Sequence, residues 1–160
     1  MCQINLIKAK GLSSDWAHSS GNFQSHRFSY EDQISINNIQ DLKPAWVYFS
    51  KDLGSSETIQ TSPIFTGNKV ISVSLLGNVF AIDPSNGKLI WKTFIGEPAG
   101  RRGLSSIMHG TLKLFVPNNE GVVEIDEISG KIRHRFISGA ALVAPIVNNN
   151  KLLIATIDNG

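Results

Sequence analysis

The sequence predicts an all-β protein, a β-propeller of four-stranded antiparallel blades, with about two and a half blades present. Two observations predict it. From residue 57 onward, short β-rich runs alternate with separators that carry Gly or Asn, which accept the positive φ of tight hairpin turns. The runs also recur with a period of about 40 residues and four runs per unit, which is typical of a propeller blade.

The repeat is visible when one unit is laid over the next. Asp83 matches Asp126 and Gly87 matches Gly130, both at an offset of 43 residues, and "APIVNNNK" matches "SPIFTGNK" at an offset of 82. The predicted blades cover about residues 57–96, 103–138 and, incomplete, 142–160.

Residues 1–43 are polar and predict an irregular N-terminal arm, and residues 44–160 predict the partial propeller. Within "NNIQDLKP", Asn37 or Asn38 could cap a single helical turn that Pro44 ends. The next residues, "PAWVYF", predict a strand.

The strands of each blade follow in order. Those of the first blade are "TSPIF", "KVISVSL", "NVFAID" and "KLIWKTFI". Those of the second are "LSSIM", "TLKLFV", "GVVEID" and "KIRHRFI", and "LVAPIV" and "KLLIATI" begin the third.

One phrase of the repeat, "AIDPSNGKLIW", begins at Ala81, a small residue suited to the approach of two sheets. Asp83 can accept backbone N–H groups and fix the turn that follows, and Gly87 supplies its left-handed conformation. Trp91 offers a large flat surface for packing on a neighbouring blade. We interpret these residues as structural rather than as members of an active site.

Composition excludes several classes of function. The chain of 160 residues is 41% hydrophobic and 18% charged, with a net charge of +2, as in an ordinary folded protein. Its densest basic group is Lys131, Arg133, His134 and Arg135. No aromatic stacking platform accompanies that group, so we interpret it as the solvated side of a strand and expect no nucleic-acid partner.

Cys2 is the single cysteine, which excludes an internal disulfide and a CxxC site. The four histidines show no metal-ligand spacing. No run approaches about 18 apolar residues, so no membrane span is expected, and the first residues lack the apolar region of a signal peptide.

The repeat phrase resembles a known family. "AIDPSNGKLIW" has the A-x-D-x-x-x-G-x-x-x-W form of the quinoprotein repeat, found in propellers of the pyrroloquinoline-quinone (PQQ) dehydrogenase superfamily. The second copy, "EIDEISGKIRH", keeps Asp126 and Gly130 but carries Glu124 and His134 in place of Ala and Trp.

Other phrases of the chain are similar to those of quinoprotein alcohol and glucose dehydrogenases, and they occur in the same order. The resemblance covers roughly residues 15–160. The matching elements are Trp16, Gly21, "RFS" at 27–29, "DQISINNIQDLKPAW" at 32–46, "QTSPIF" at 60–65 and "RRGL" at 101–104.

The resemblance implies an eight-bladed periplasmic propeller with PQQ and usually Ca²⁺ on its axis, which oxidises alcohols or sugars by hydride transfer to the quinone. It implies two cofactor contacts. Arg102 matches an arginine that pairs with a PQQ carboxylate, a task suited to its planar fork of donors, and Gln60 matches a Glu or Gln that faces the quinone. The alternatives are a strand-edge Arg and a turn-stabilising Gln.

The chain departs from the family in three respects. The adjacent cysteine pair of the alcohol dehydrogenases is absent, and Ala140 lies near the point where some members direct a threonine toward PQQ. The family's Ca²⁺ ligands and catalytic aspartate belong to later blades. We therefore expect an N-terminal portion of a PQQ-dependent dehydrogenase, with no turnover by this chain alone.

Two alternatives remain open at the level of sequence. Propellers with the same repeat and no quinone act as protein-binding scaffolds, for example in outer-membrane protein assembly, and one fold hosts many functions. An incomplete ring also exposes sheet edges, which invite edge-to-edge self-association.

Overall fold

The computed structural model is an array of antiparallel sheets, and the all-β prediction is confirmed. Its described part contains two four-stranded sheets, one two-stranded ladder and one short 3₁₀ helix. The structure describes residues 16–21, 24–51, 61–66, 68–97, 105–107, 112–141, 143–148 and 151–157.

The first sheet is a four-stranded meander in which each strand pairs with the next along the chain. Between its second and third strands, Ser74 N–H donates to Asn78 O (2.9 Å) and the Ser74 hydroxyl accepts from Asn78 N–H (3.2 Å). The strands are β1 (Ile64–Thr66), β2 (Lys69–Val73), β3 (Asn78–Ile82) and β4 (Leu89–Phe94).

The second sheet repeats the first down to its irregularities. The pairing of β3 with β4 shifts register between Ala81 and Ile82, and that of β7 with β8 shifts between Glu124 and Ile125, the equivalent positions 43 residues later. The strands are β5 (Ser105–Ile107), β6 (Lys113–Asn118), β7 (Gly121–Asp126) and β8 (Ile132–Ile137).

A third unit begins with β9 (Ile146–Asn148) and β10 (Lys151–Leu153), which form an antiparallel pair. An isolated bridge joins Ala141 to Thr156. The predicted bounds of the three blades and the division of the chain at residue 44 stay predictions.

The strand predicted over residues 44–49 is wrong. Among the described residues no strand pairs with the backbone there, and Val47 and Phe49 are 65% and 75% exposed. A side chain anchors this segment instead, since Trp46 Nε1 donates to Pro84 O in the turn between β3 and β4 (2.7 Å).

The helical turn forms at Ile39–Asp41, with Asn38 in the N-cap position. The Asn38 side chain does not cap the helix. Its Oδ1 accepts from Ser35 N–H (2.7 Å) and its Nδ2 donates to Gln33 O (2.8 Å), so it stabilises the preceding turn. The helix ends at Asp41, before Pro44, because Leu42 is already extended.

The main hydrophobic core lies between the facing surfaces of the two sheets. Alternate residues of each strand point into it, as the pleat requires. Its members are Ile64, Ile71, Val73, Val79, Ala81, Trp91 and Ile95 from the first unit, and Leu114, Val116, Val123 and Ile125 from the second. A second core forms where Phe115 and Val122 meet Ala141, with Val147, Leu152 and Ile154 of the third unit packed against them.

Two tryptophans, Trp46 and Trp91, make the same contact with a turn of the unit that follows them in the chain. The Trp91 indole packs on the turn between β7 and β8, where Nε1 donates to Glu127 O (3.1 Å) and Gly130 has a φ of +72°. Trp46 packs in the same way on the turn between β3 and β4, where Gly87 has a φ of +71°. The predicted role of Trp91 is therefore what the structure shows.

Glu127 adds a buried polar contact between the sheets. The Thr66 hydroxyl of β1 donates to Glu127 Oε1, and both residues are less than 4% exposed. In the described part of the chain, no group hydrogen-bonds Glu127 Oε2. Burying a carboxyl oxygen without a partner costs free energy. The hydrogen bond from Thr66 to Oε1 offsets part of the cost of burying the Glu127 carboxyl.

Candidate functional site

The candidate site lies at the end of the sheets from which the chain leaves β4 and β8, which we call the connection end. The turns β2–β3 and β6–β7 lie at the same end, because neighbouring strands are antiparallel. The same hydrogen bond begins both connections. Ile95 N–H donates to Gly77 O (2.9 Å), and Ser138 N–H donates to Glu120 O (3.0 Å).

The first connection, which leaves β4, is held by the turn between β6 and β7. Ile95 O accepts from Asn118 Nδ2 (2.8 Å) and from Arg135 Nη1 (2.9 Å). Asn119 N–H donates to Glu97 O (2.9 Å). Both sheets therefore fix the backbone over residues 95–97.

The second connection, which leaves β8, turns at Gly139, whose φ is +86°. Ala141 N–H then donates to Asn118 O (3.0 Å), and Ile157 N–H donates to Ala140 O (3.0 Å). Ala140 is half-buried at this end. By the resemblance, it lies near the point where some quinoproteins direct a threonine toward the cofactor, and an alanine has no hydroxyl to offer there.

The two predicted cofactor contacts, Gln60 and Arg102, lie outside the described residues. Described backbone flanks each of them. Residues 61–63 lead from Gln60 into β1, and Glu97 and β5 lie on either side of the segment that contains Arg102. Both assignments stay predictions.

The aspartates of the repeat lie at the other end of the sheets, in the turns β3–β4 and β7–β8. Asp83 Oδ1 accepts from Ser85 N–H (2.8 Å) and Asp126 Oδ1 accepts from Ser129 N–H (2.7 Å). The hydrogen bonds from Ser85 lower the pKa of Asp83. These contacts hold the turns, so Asp83 is structural, as the sequence predicts.

Two residues of the basic group, Arg133 and Arg135, have structural partners. Arg133 donates to Asp126, and this hydrogen bond lowers the pKa of the Asp126 carboxyl below its usual range and raises the pKa of Arg133. Arg135 donates to Ile95 O. These two contacts accord with the strand face that the sequence predicts.

The degenerate positions of the second repeat form a register pair. Glu124 lies opposite His134, where the first repeat has Ala81 opposite Trp91. Glu124 is buried and bonds to Lys113 Nζ (2.8 Å). On the face toward the third unit, Glu124 and His134 therefore replace the alanine and the tryptophan of the first repeat.

In the described part of the chain, no three residues among His, Cys, Asp and Glu lie close enough together to hold a metal ion. Burial lowers the pKa of His18. No helix among the described residues is long and apolar enough to cross a membrane.

Asn118 and Asn119 were missed from the sequence. "PNNEG" was identified only as a separator between two strands, and nothing in the phrase distinguishes an Asn that shapes its own turn from one that reaches another connection. The only available clue was that the equivalent residue of the first repeat is Leu75.

Comparison with known proteins identifies the relatives of this fold. Residues 16–142 match the family model of the glucose/ethanol/alcohol dehydrogenase β-propeller domain. The chain is 35% identical over 89 residues to a quinate/shikimate dehydrogenase (quinone) of Acinetobacter baylyi, covering 53% of this chain and 11% of that protein. It is 24% identical over 144 residues to the quinoprotein alcohol dehydrogenase PedH of Pseudomonas putida, covering 81% of this chain and 24% of that protein.

Solved structures show the same fold. A quinohemoprotein alcohol dehydrogenase from Comamonas testosteroni superimposes with a TM-score of 0.75 at 23% identity, over 88% of this chain and 23% of that one. The propeller prediction is confirmed. In these comparisons, the chain spans between about a tenth and a quarter of its relatives' length.

Proposed function

Since the chain belongs to the glucose/ethanol/alcohol dehydrogenase β-propeller family, we propose that it supplies the first blades of a quinoprotein that oxidises an alcohol or a sugar. The observation that carries this proposal is the family match over residues 16–142, which includes both four-stranded sheets and the Trp91 contact between them.

PQQ is the proposed cofactor. When bound, it takes up the hydride that leaves the carbinol carbon of the substrate. Arg102 is proposed to pair with a PQQ carboxylate and Gln60 to face the ring. The support is topological, because Arg102 follows β4 and Gln60 precedes β1, and the described ends of both strands lie at the connection end.

The described residues suit a role as the framework around PQQ rather than as hydrogen-bond partners of its polar groups. At the connection end, Asn118, Asn119 and Arg135 are already bonded to the backbone of the first connection. Within this chain, the positive partner that we propose for a PQQ carboxylate is Arg102.

We propose that Ca²⁺ or a lanthanide, if it accompanies PQQ, is held by residues other than the described ones, which form no cluster of ligands. The periplasm is the proposed location, from the resemblance to the family. An alcohol or sugar substrate is the proposed partner, and self-association through sheet edges is the alternative.

The test uses the intact protein, by which we mean the whole quinoprotein to which this chain is proposed to contribute the first blades. It is reconstituted with PQQ and Ca²⁺, and reduction of an artificial electron acceptor is followed with a panel of alcohols and sugars. Substrate-dependent dye reduction that requires PQQ is the expected result. A protein that takes up no PQQ under conditions that load a known quinoprotein would contradict the proposal and favour a binding scaffold.

A further inference from the structure

We propose that Asn118 is a positioning residue for the cofactor site, because it binds the connection that leaves the first sheet to the connection that leaves the second. The inference rests on the proposed function, in which a ligand occupies the connection end.

The Asn118 side chain has a single orientation that satisfies its surroundings. It is 2% exposed. Its Oδ1 accepts from Glu120 N–H (3.0 Å) and Gly121 N–H (2.9 Å), which leaves Nδ2 to donate to Ile95 O (2.8 Å). Reversal of the amide would bring oxygen against Ile95 O and amide hydrogens against two backbone N–H groups, so the bond to Ile95 is fixed.

The Asn118 main chain makes the second contact. Its carbonyl oxygen accepts from Ala141 N–H (3.0 Å), next to Ala140. The side chain also lies against the first connection, where a Cβ added to Gly96 would come within 3.3 Å of Asn118 Nδ2. One buried residue therefore sets the distance between the two connections.

The blade repeat does not by itself require this residue. Leu75, whose side chain has no amide, occupies the equivalent position of the first sheet, 43 residues earlier, between the paired strands β2 and β3. The polar side chain is thus particular to the second turn. A site held by buried supporting bonds of this kind loses affinity when its groups shift by even about 1 Å.

The test uses two substitutions in the intact protein. Asn118→Asp keeps the acceptor for Glu120 and Gly121 and removes the donor to Ile95, and Asn118→Leu introduces the residue of the first repeat. Thr66→Val is the control, because it removes a buried hydrogen bond between the sheets, from Thr66 Oγ1 to Glu127 Oε1, at the other end. PQQ affinity is measured by equilibrium titration, and hydrogen exchange of residues 95–107 is measured without PQQ.

Asn118→Asp is expected to bind PQQ about ten-fold more weakly, the effect of losing roughly one buried hydrogen bond, and Asn118→Leu, which loses the two accepted bonds as well, at least as weakly. Both variants are expected to exchange faster over residues 95–107. Thr66→Val is expected to bind PQQ like the wild type. Unchanged affinity in both Asn118 variants, or unchanged exchange, overturns the positioning role alone. Failure of the wild-type protein to bind PQQ overturns the proposed function and this role with it.

Discussion

Gly130 lies flat against the indole of Trp91, so close that a Cβ at Gly130 would come within 2.6 Å of Trp91 Cδ2. Gly87 lies against Trp46 in the same way, at 2.8 Å. The same contact between an aromatic face and bare backbone therefore joins the segment around Trp46 to the first sheet and the first sheet to the second.

Gly130→Ala is expected to lower the free energy of unfolding by about 2–4 kcal/mol, because the methyl group meets the ring and the backbone keeps a positive φ. Denaturant unfolding of the intact protein measures the change. Gly139→Ala is the control, since its φ is also positive but the nearest atom to its Cβ would be 3.4 Å away. Equal losses in the two variants would show that the ring contact contributes nothing.

Trp91→Phe is expected to cost about 1 kcal/mol more than Trp46→Phe. Each substitution removes an indole donor to a turn carbonyl. Trp91 is buried and Trp46 is only half-buried. Water can therefore replace the lost donor at Pro84 O more readily than at Glu127 O. Thermal unfolding of both variants checks this. A larger loss for Trp46→Phe would contradict it.

Thr66→Val is expected to destabilise the protein by about 1–3 kcal/mol, because it leaves the buried Glu127 carboxyl without a donor. Adding Glu127→Leu to Thr66→Val is expected to recover part of that loss, since no polar group is then stranded. A double-mutant cycle by denaturant unfolding measures the coupling. Strictly additive effects of the two substitutions would show that the bond between them has no energetic weight.

The pH dependence of stability tests the turn between β7 and β8. The Arg133 hydrogen bond holds the pKa of Asp126 below its usual value of 3.8, so the unfolded state binds a proton first as the pH falls. The stability contributed by Asp126 is therefore present above about pH 4 and is lost as the pH drops below it.

Below about pH 4, Asp126→Asn is expected to lose less of its free energy of unfolding with falling pH than the wild type does. Urea unfolding between neutral and acidic pH measures it, with Glu120→Gln as the control for an exposed carboxyl in another turn of the same sheet. The same acid dependence in Asp126→Asn and in the wild type would contradict the assignment.

Much of the fold was predictable from the sequence because each blade repeats local signals. Asp83 and Gly87 fix one turn, and Asp126 and Gly130 fix its copy, so turns and strands follow from residues near each other in the chain. The packing role of Trp91 was predictable for the same reason.

The segment over residues 44–49 was mispredicted because its apolar residues suit a strand, whereas a strand also needs a partner backbone. Trp46 fixes the segment through one long-range bond to Pro84 that no local pattern reveals. Asn118 was missed for a related reason, since its bond to Ile95 joins two sheets and depends on how they stack.

The most direct test of the central claim is an equilibrium titration of the intact protein with PQQ in the presence of Ca²⁺, comparing wild type, Arg102→Ala and the adjacent control Arg101→Ala. Binding of one PQQ per protein is predicted, with affinity reduced at least about ten-fold in Arg102→Ala, the loss of a charge-assisted pair, and nearly unchanged in Arg101→Ala. No saturable binding by the wild-type protein would contradict the quinoprotein account.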